Sequence, residues 1–167
     1  MLIRPERETD ISAIHSLNVS AFENSTEADL VDLLRQQAHP IISLVAERNN
    51  TVVGYILFSP VCLEGRPDLK IMGLAPMAVA PEYQRTGIGS ALVCSGLEQC
   101  MELGYSAVVV LGYPEYYTRF GFVPSTRFGI RSEYNVPEEV FMAIELEPGS
   151  LRGASGKIKY HAAFSNI

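Results

Sequence analysis

The sequence predicts an α/β fold: a single domain with a mixed, twisted β-sheet and about four flanking helices. Three observations predict it. Residues 106–111 carry a continuous apolar run, Ala-Val-Val-Val-Leu, of the kind buried on both faces in a parallel strand. Just before it, Ile88, Leu92, Val93, Leu97, Cys100 and Met101 recur at helical spacing. Around this pair lie further β-rich runs, so that strands and helices alternate along the chain. At 167 residues, 47% of them hydrophobic and 19% charged, the chain is one domain's worth and can bury a substantial core.

The elements follow in order. Leu2-Ile3-Arg4-Pro5 reads as a short first strand. Thr9 or Asp10 is placed to cap a helix carrying Ile11, Ile14, Leu17 and Ala21. Asn24, with Glu27 three residues on, resembles a capping box for a second helix whose inner face carries Leu30, Leu33 and Leu34; Pro40 ends it. Residues 41–47 and 52–60 are β-rich and joined by Arg48-Asn49-Asn50-Thr51. An Asn pair tolerates left-handed backbone, so a hairpin is expected. Residues 63–69 read as a polar connection and 70–80 as the central strand. A helix over 87–103 ends at Gly104, which suits its C-cap. A short helix over 115–120, a strand opening at Phe122-Val123, an aromatic-bearing loop over 124–137 and a last strand over 140–147 complete the sheet. The expected organisation is a domain over 1–147 and a C-terminal extension over 148–167 packing on it. No internal repeat is present.

The most informative stretch is Gln84-Arg85-Thr86-Gly87-Ile88-Gly89-Ser90, between the central strand and the long helix. Its two glycines let the backbone approach a bulky anion without a Cβ in the way. The helix start adds N–H groups without helical partners and the positive end of the dipole. Together these features make a cradle for a diphosphate. By itself the stretch is also compatible with an ordinary strand-to-helix turn. It is not a P-loop, because no Gly-x-x-x-x-Gly-Lys-Ser/Thr run exists. It is not a dinucleotide fingerprint either: Leu92 stands where a third glycine is required, and no acid lies at 104–107, where a ribose would be recognised.

Gln84-Arg85-x-Gly87-x-Gly89 resembles the acyl-CoA-binding motif of the GNAT N-acetyltransferase superfamily. Ala78-Val79-Ala80-Pro81-Glu82-Tyr83 resembles the family's entry into that motif. Downstream, Gly112-Tyr113-Pro114-Glu115-Tyr116-Tyr117-Thr118-Arg119-Phe120-Gly121-Phe122 resembles the signature of a bacterial subgroup. The likeness runs from Leu2 to about Leu146, and the tail from Leu151 to Phe164 resembles the subgroup's ending. The resemblance implies a sheet splayed between its fourth and fifth strands, with acetyl-CoA as cosubstrate and no metal. It also implies direct transfer of an acetyl group to the primary amine of a small molecule or peptide. The cofactor-binding residues would be Met77, Ala78, Val79, Gln84, Arg85, Thr86, Gly87, Ile88, Gly89 and Ser90. Pro76 interrupts the central strand, so amides after it are candidates for release from a neighbouring strand. By the resemblance they bond the pantetheine arm and the thioester carbonyl. Tyr117 matches the family's general-acid tyrosine and Tyr116 is the next candidate. For both, aromatic packing with Phe120 and Phe122 is the plainer role.

The general base is not evident: 70–80 contains no carboxylate. Glu27 is a candidate, with helix capping as its alternative; His39 is another, beside Pro40. That gap keeps open a non-catalytic acyl-CoA-binding sensor. His15 and His161 have no partner spacing for zinc or a triad. The three cysteines, Cys62, Cys94 and Cys100, are odd in number and lack a C-x-x-C, so neither disulfides nor zinc are expected. Burial in the long helix is expected for Cys94 and Cys100, and a place near a loop for Cys62. A net charge of −6 argues against nucleic-acid binding. No apolar run reaches the ~18–20 residues of a membrane span. With no signal-peptide pattern at Met1-Leu2-Ile3-Arg4-Pro5, a cytoplasmic monomer or homodimer is expected.

Overall fold

The structure, a computed structural model, describes residues 1–166. The fold is α/β, with a mixed sheet and four α-helices. The strands are β1 (Leu2–Pro5), β2 (Ile42–Arg48), β3 (Thr51–Leu63), β4 (Arg66–Val79), β5 (Ala107–Leu111), β6 (Val123–Pro124), β7 (Ile130–Ser132), β8 (Phe141–Glu145) and β9 (Gly156–Lys159). The helices are α1 (Ile11–Phe22), α2 (Thr26–Gln37), α3 (Ile88–Glu102) and α4 (Pro114–Tyr117). The main hydrogen-bonded order is β1-β2-β3-β4-β5-β8-β6, with β9 joining the end of β3 and β7. The chain divides into two compact units. The first comprises Met1–Ser59, Ala75–Gly96 and the chain from Ala162; the second comprises Pro60–Leu74 and Leu97–His161.

In the first unit β1, β2 and β3 are antiparallel. The β2–β3 hairpin turns at Asn49 and Asn50, with φ of 51° and 62°, as the Asn pair predicts. Ile14, Leu34, Val45, Ile56 and Leu92 are fully buried in its core. Arg4 ties the N-terminal strand down. One of its nitrogens lies 2.7 Å from Asp10 and another 2.9 Å from Glu47. The Arg4 hydrogen bonds hold the Asp10 carboxyl below its ordinary range, and a bond from the Arg7 amide adds to the effect. Asp10 therefore braces this corner through its carboxylate and makes no side-chain cap bond to α1. The tail returns to this unit, where the turn Ala162–Asn166 packs on α2 and buries Ala163 and Phe164.

In the second unit β4 and β5 are parallel from Ile71 and Ala107 to Leu74 and Val110, where the ladder ends. β8 pairs antiparallel with β5 and β6. The core gathers Leu63, Ile71, Val109, Ile130, Phe141, Leu151 and Ile158.

Several expectations need correction. Residues 63–69 are not a connection: β3 and β4 are joined at Glu64 and Gly65, whose φ of 84° makes a tight turn, and the strand resumes at Arg66. Residues 124–137 contain a 3-10 turn (Ser125–Phe128) and β7, because β9 supplies a parallel partner from the tail. Cys62 does lie near a turn, on β3 two residues before Glu64, and is exposed. Cys94 is exposed as well, and Met101 is 55% exposed; both point away from the buried stripe of α3. The capping box at Asn24 and Glu27 does not form, because Ser25 is the N-cap of α2 and makes no side-chain cap bond. Asn24 Oδ1 accepts the Thr26 amide at 2.8 Å, while Glu27 Oε1 is shielded and has no partner among the described residues.

Candidate active site

The turn from Ala80 to Ser90 belongs to the first unit. A short 3-10 turn, Pro81–Tyr83, carries the chain off β4, and the Tyr83 amide bonds the Ala80 carbonyl at 2.8 Å. Gln84 Nε2 reaches back to the Val79 carbonyl at 3.1 Å, and Thr86 Oγ1 donates to the Tyr83 carbonyl. These side chains close the loop on itself. Arg85 and Gly87 both adopt left-handed backbone, with φ of 63° and 89°. Backbone alternating in this way turns successive N–H groups toward one concavity, a nest for an anion. α3 begins directly after it: the Ala91 amide makes a helical bond to the Gly87 carbonyl at 3.1 Å. The N–H groups of Ile88 and Gly89 thus belong to the first turn, where the helix supplies no acceptor. Gln84, Arg85, Thr86 and Gly87 are exposed, whereas Ile88 is buried as the anchor of the turn.

Two further glycines seat this helix. A Cβ on Gly54 of β3 would fall 2.8 Å from Ile88 Cγ2, and one on Gly96 of α3 would fall 2.1 Å from the Phe58 ring. Neither was singled out in the sequence, although an isolated glycine in a β-run is a sign of close backbone approach. Met77 and Val79 are half-buried and Ala78 is buried at the end of β4. Glu27 stands in the first turn of α2, in the same unit. His39 is exposed.

His15, without recognisable partner spacing in the sequence, has its Nδ1 3.2 Å from Asp32, and Asp29 is close by. Asp32 is already paired with Arg35 at 3.0 Å, and Arg35 holds Glu6 at 2.7 Å. The Asp32 and Glu6 carboxylates are thus already held by Arg35.

Tyr116 and Tyr117 belong to the second unit. Pro114 opens α4 at its first position, where its missing N–H costs nothing. The Tyr117 ring packs at 5.5 Å on Phe122 and edge-on at 5.0 Å from Tyr116. Tyr116 stacks under the Arg119 guanidinium at 4.8 Å and remains half-exposed. Tyr117 is only 7% exposed, and its hydroxyl makes no hydrogen bond among the described residues. Burial, aided by Tyr116, pushes the phenol pKa up to about 12. Gly112 makes room for it: a Cβ there would lie 2.2 Å from the Tyr117 ring. The sequence showed Gly112 only as the first residue of a motif; its steric task is visible only in three dimensions.

With this geometry in view, comparison with known proteins decides the family. The profile of the acetyltransferase (GNAT) family matches residues 11–122. The chain belongs to the GNAT family. It is 39% identical to the N-acetyltransferase YhbS of Escherichia coli over 168 aligned residues, covering both chains fully. A crystal structure of that GNAT protein in complex with CoA superposes with a TM-score of 0.92 at 38% identity, covering 98% of this chain and 91% of the other. A GNAT acetyltransferase from Brucella melitensis in complex with acetyl-CoA gives 0.79 at 34% identity, covering 98% and 97%. As a GNAT N-acetyltransferase, the chain has the predicted fold class and reaction class. Among the described residues no helix is long and apolar enough to cross a membrane.

Proposed function

We propose that this GNAT protein moves an acetyl group from acetyl-CoA to the primary amine of a small molecule or peptide by direct attack. The nest at Arg85 and Gly87, the first-turn amides of α3 and the Ser90 region bind the diphosphate of the cofactor. Gln84 and Thr86 act mainly by closing the turn, since both side chains are engaged within it. The amides of Met77, Ala78 and Val79 serve the pantetheine arm and the thioester oxygen. A backbone donor aimed at a developing oxyanion is worth roughly 3–4 kcal/mol.

The observation that carries the catalytic part is Tyr117: a buried ring whose hydroxyl has no protein partner. In the reaction the amine nitrogen bonds the carbonyl carbon, the C–S bond breaks, the nitrogen loses a proton and the sulfur gains one. With a pKa of about 12, the phenol stays protonated throughout the working range. Complete transfer of its proton to a thiolate of parent pKa ~8.5 would be uphill by roughly 5 kcal/mol. Tyr117 therefore donates a hydrogen bond to the sulfur as charge develops, and its proton moves in step with loss of the ammonium proton. Tyr116 supports the Tyr117 ring. Glu27 is the candidate to accept the amine proton, since its shielded Oε1 is free of the capping bond expected for it.

Tyr117→Phe is the test. Turnover measured as CoA release with a panel of amines is expected to fall about 10²–10⁴-fold, the usual worth of a positioned acid. CoA affinity by calorimetry is expected to stay unchanged. Unchanged turnover would remove the role, and failure of every amine to stimulate CoA release would favour a binding protein without catalysis.

A further inference from the structure

Within the second unit, a cavity of about 310 Å³ lies beside β7, at the lower end of the ~300–1,000 Å³ usual for small-ligand sites. None of the residues assigned above to acetyl transfer lines it. Its apolar lining includes Ile130 and Phe141, both fully buried. Arg131 and Lys157 line it too, and they are direct partners in the parallel ladder of β7 and β9. Like charges facing each other across a ladder destabilise it unless something neutralises them. Among the described residues neither forms an ion pair.

The neighbouring acids are committed elsewhere. Glu133 accepts the Tyr160 amide at 2.7 Å, and Glu64 lies 3.8 Å from Lys159. Glu138, the one acid among the lining residues, is exposed. A second, independent feature is Ser125: it also lines the cavity, is 1% exposed, and its Oγ has no partner among the described residues. A buried hydroxyl without a partner is costly unless a ligand supplies one. Arg131 is exposed and Lys157 half-buried; with the buried Ser125 hydroxyl they bring two cations without an ion pair and one free donor to the edge of an apolar floor.

We propose that this cavity binds a small organic monocarboxylate. The carboxylate bridges Arg131 and Lys157, the Ser125 hydroxyl completes its hydrogen bonds, and a short aromatic or aliphatic body lies on Ile130 and Phe141. Glu138 disfavours ligands with a second negative charge. Charge-assisted hydrogen bonds are the strong ones, so the carboxylate should decide affinity.

The test is an amide-resolved NMR titration of the whole protein with benzoate, benzamide and benzylamine. Benzoate is expected to give saturable shifts in residues 125–141 and at Lys157, with benzamide and benzylamine at least about tenfold weaker. The double variant R131Q/K157Q, with its folding checked by thermal melting, is expected to bind benzoate at least about tenfold more weakly. Its CoA affinity should be unchanged, which separates this proposal from the reading of the transfer site. No saturable benzoate shift at millimolar ligand, equal binding of the neutral amide, or undiminished benzoate affinity in the double variant would each overturn it. Should R131Q/K157Q fail to fold, Ser125→Ala combined with salt titration takes its place. Benzoate affinity insensitive to both would count equally against the proposal.

Discussion

The turn over 80–90 and the segment over 124–137 are both irregular stretches that follow a β-strand, but they are held in different ways. The first is closed by its own neighbours: Gln84 to Val79, Thr86 to Tyr83, and left-handed backbone at Arg85 and Gly87. The second takes its form from a distant strand, since β7 exists by pairing Ile130, Arg131 and Ser132 with Gly156, Lys157 and Ile158. A segment built from local bonds can be read from its own residues. One built from remote pairing cannot, and its dependence on the tail is the feature most open to experiment.

The largest effect is expected in the frame of the first unit. Arg4→Ala strands the buried Asp10 carboxylate, at a cost of about 3–5 kcal/mol by chemical denaturation. The pH dependence follows from the same pair. The folded-state pKa of Asp10 is lowered, so its stabilising contribution is complete above the unfolded value of ~3.9 and is lost as pH falls below it. Stability of the parent should drop more steeply than that of Arg4→Ala between about pH 5 and pH 2.

Next comes Ile158→Ala, which empties a fully buried position on β9. Loss of about 2–5 kcal/mol is expected. Hydrogen exchange should accelerate at Ile130–Ser132 more than at the amides of the 80–90 turn. Equal acceleration at both would erase the contrast drawn between them. Gly96→Ala pushes a methyl group into the Phe58 ring and should cost about 1–3 kcal/mol. It displaces the helix behind the turn, so CoA affinity by calorimetry should weaken in parallel.

The smallest effect belongs to Gly87→Ala. No atom lies within 4 Å of a Cβ there, so only the left-handed backbone, at φ 89°, opposes it. The cost should be about 1–2 kcal/mol. Binding of CoA should suffer, while 4′-phosphopantetheine, which lacks the diphosphate, should bind parent and variant alike.

Much of this protein was determined by its sequence alone: the α/β alternation, the Asn49-Asn50 hairpin, the buried parallel run of β5, and the family likeness of the glycine turn and the Tyr116-Tyr117 segment. Each rests on residues close together in the chain, whose periodicity or backbone preference acts locally. Tertiary structure alone decided that Gly54 and Gly96 seat α3, that Gly112 opens space for Tyr117, and that Glu27 is left without a capping bond. It also decided that Arg131 meets Lys157 beside an orphaned Ser125. These depend on which remote backbones approach one another, and contacts between distant residues leave no period or spacing in a single chain.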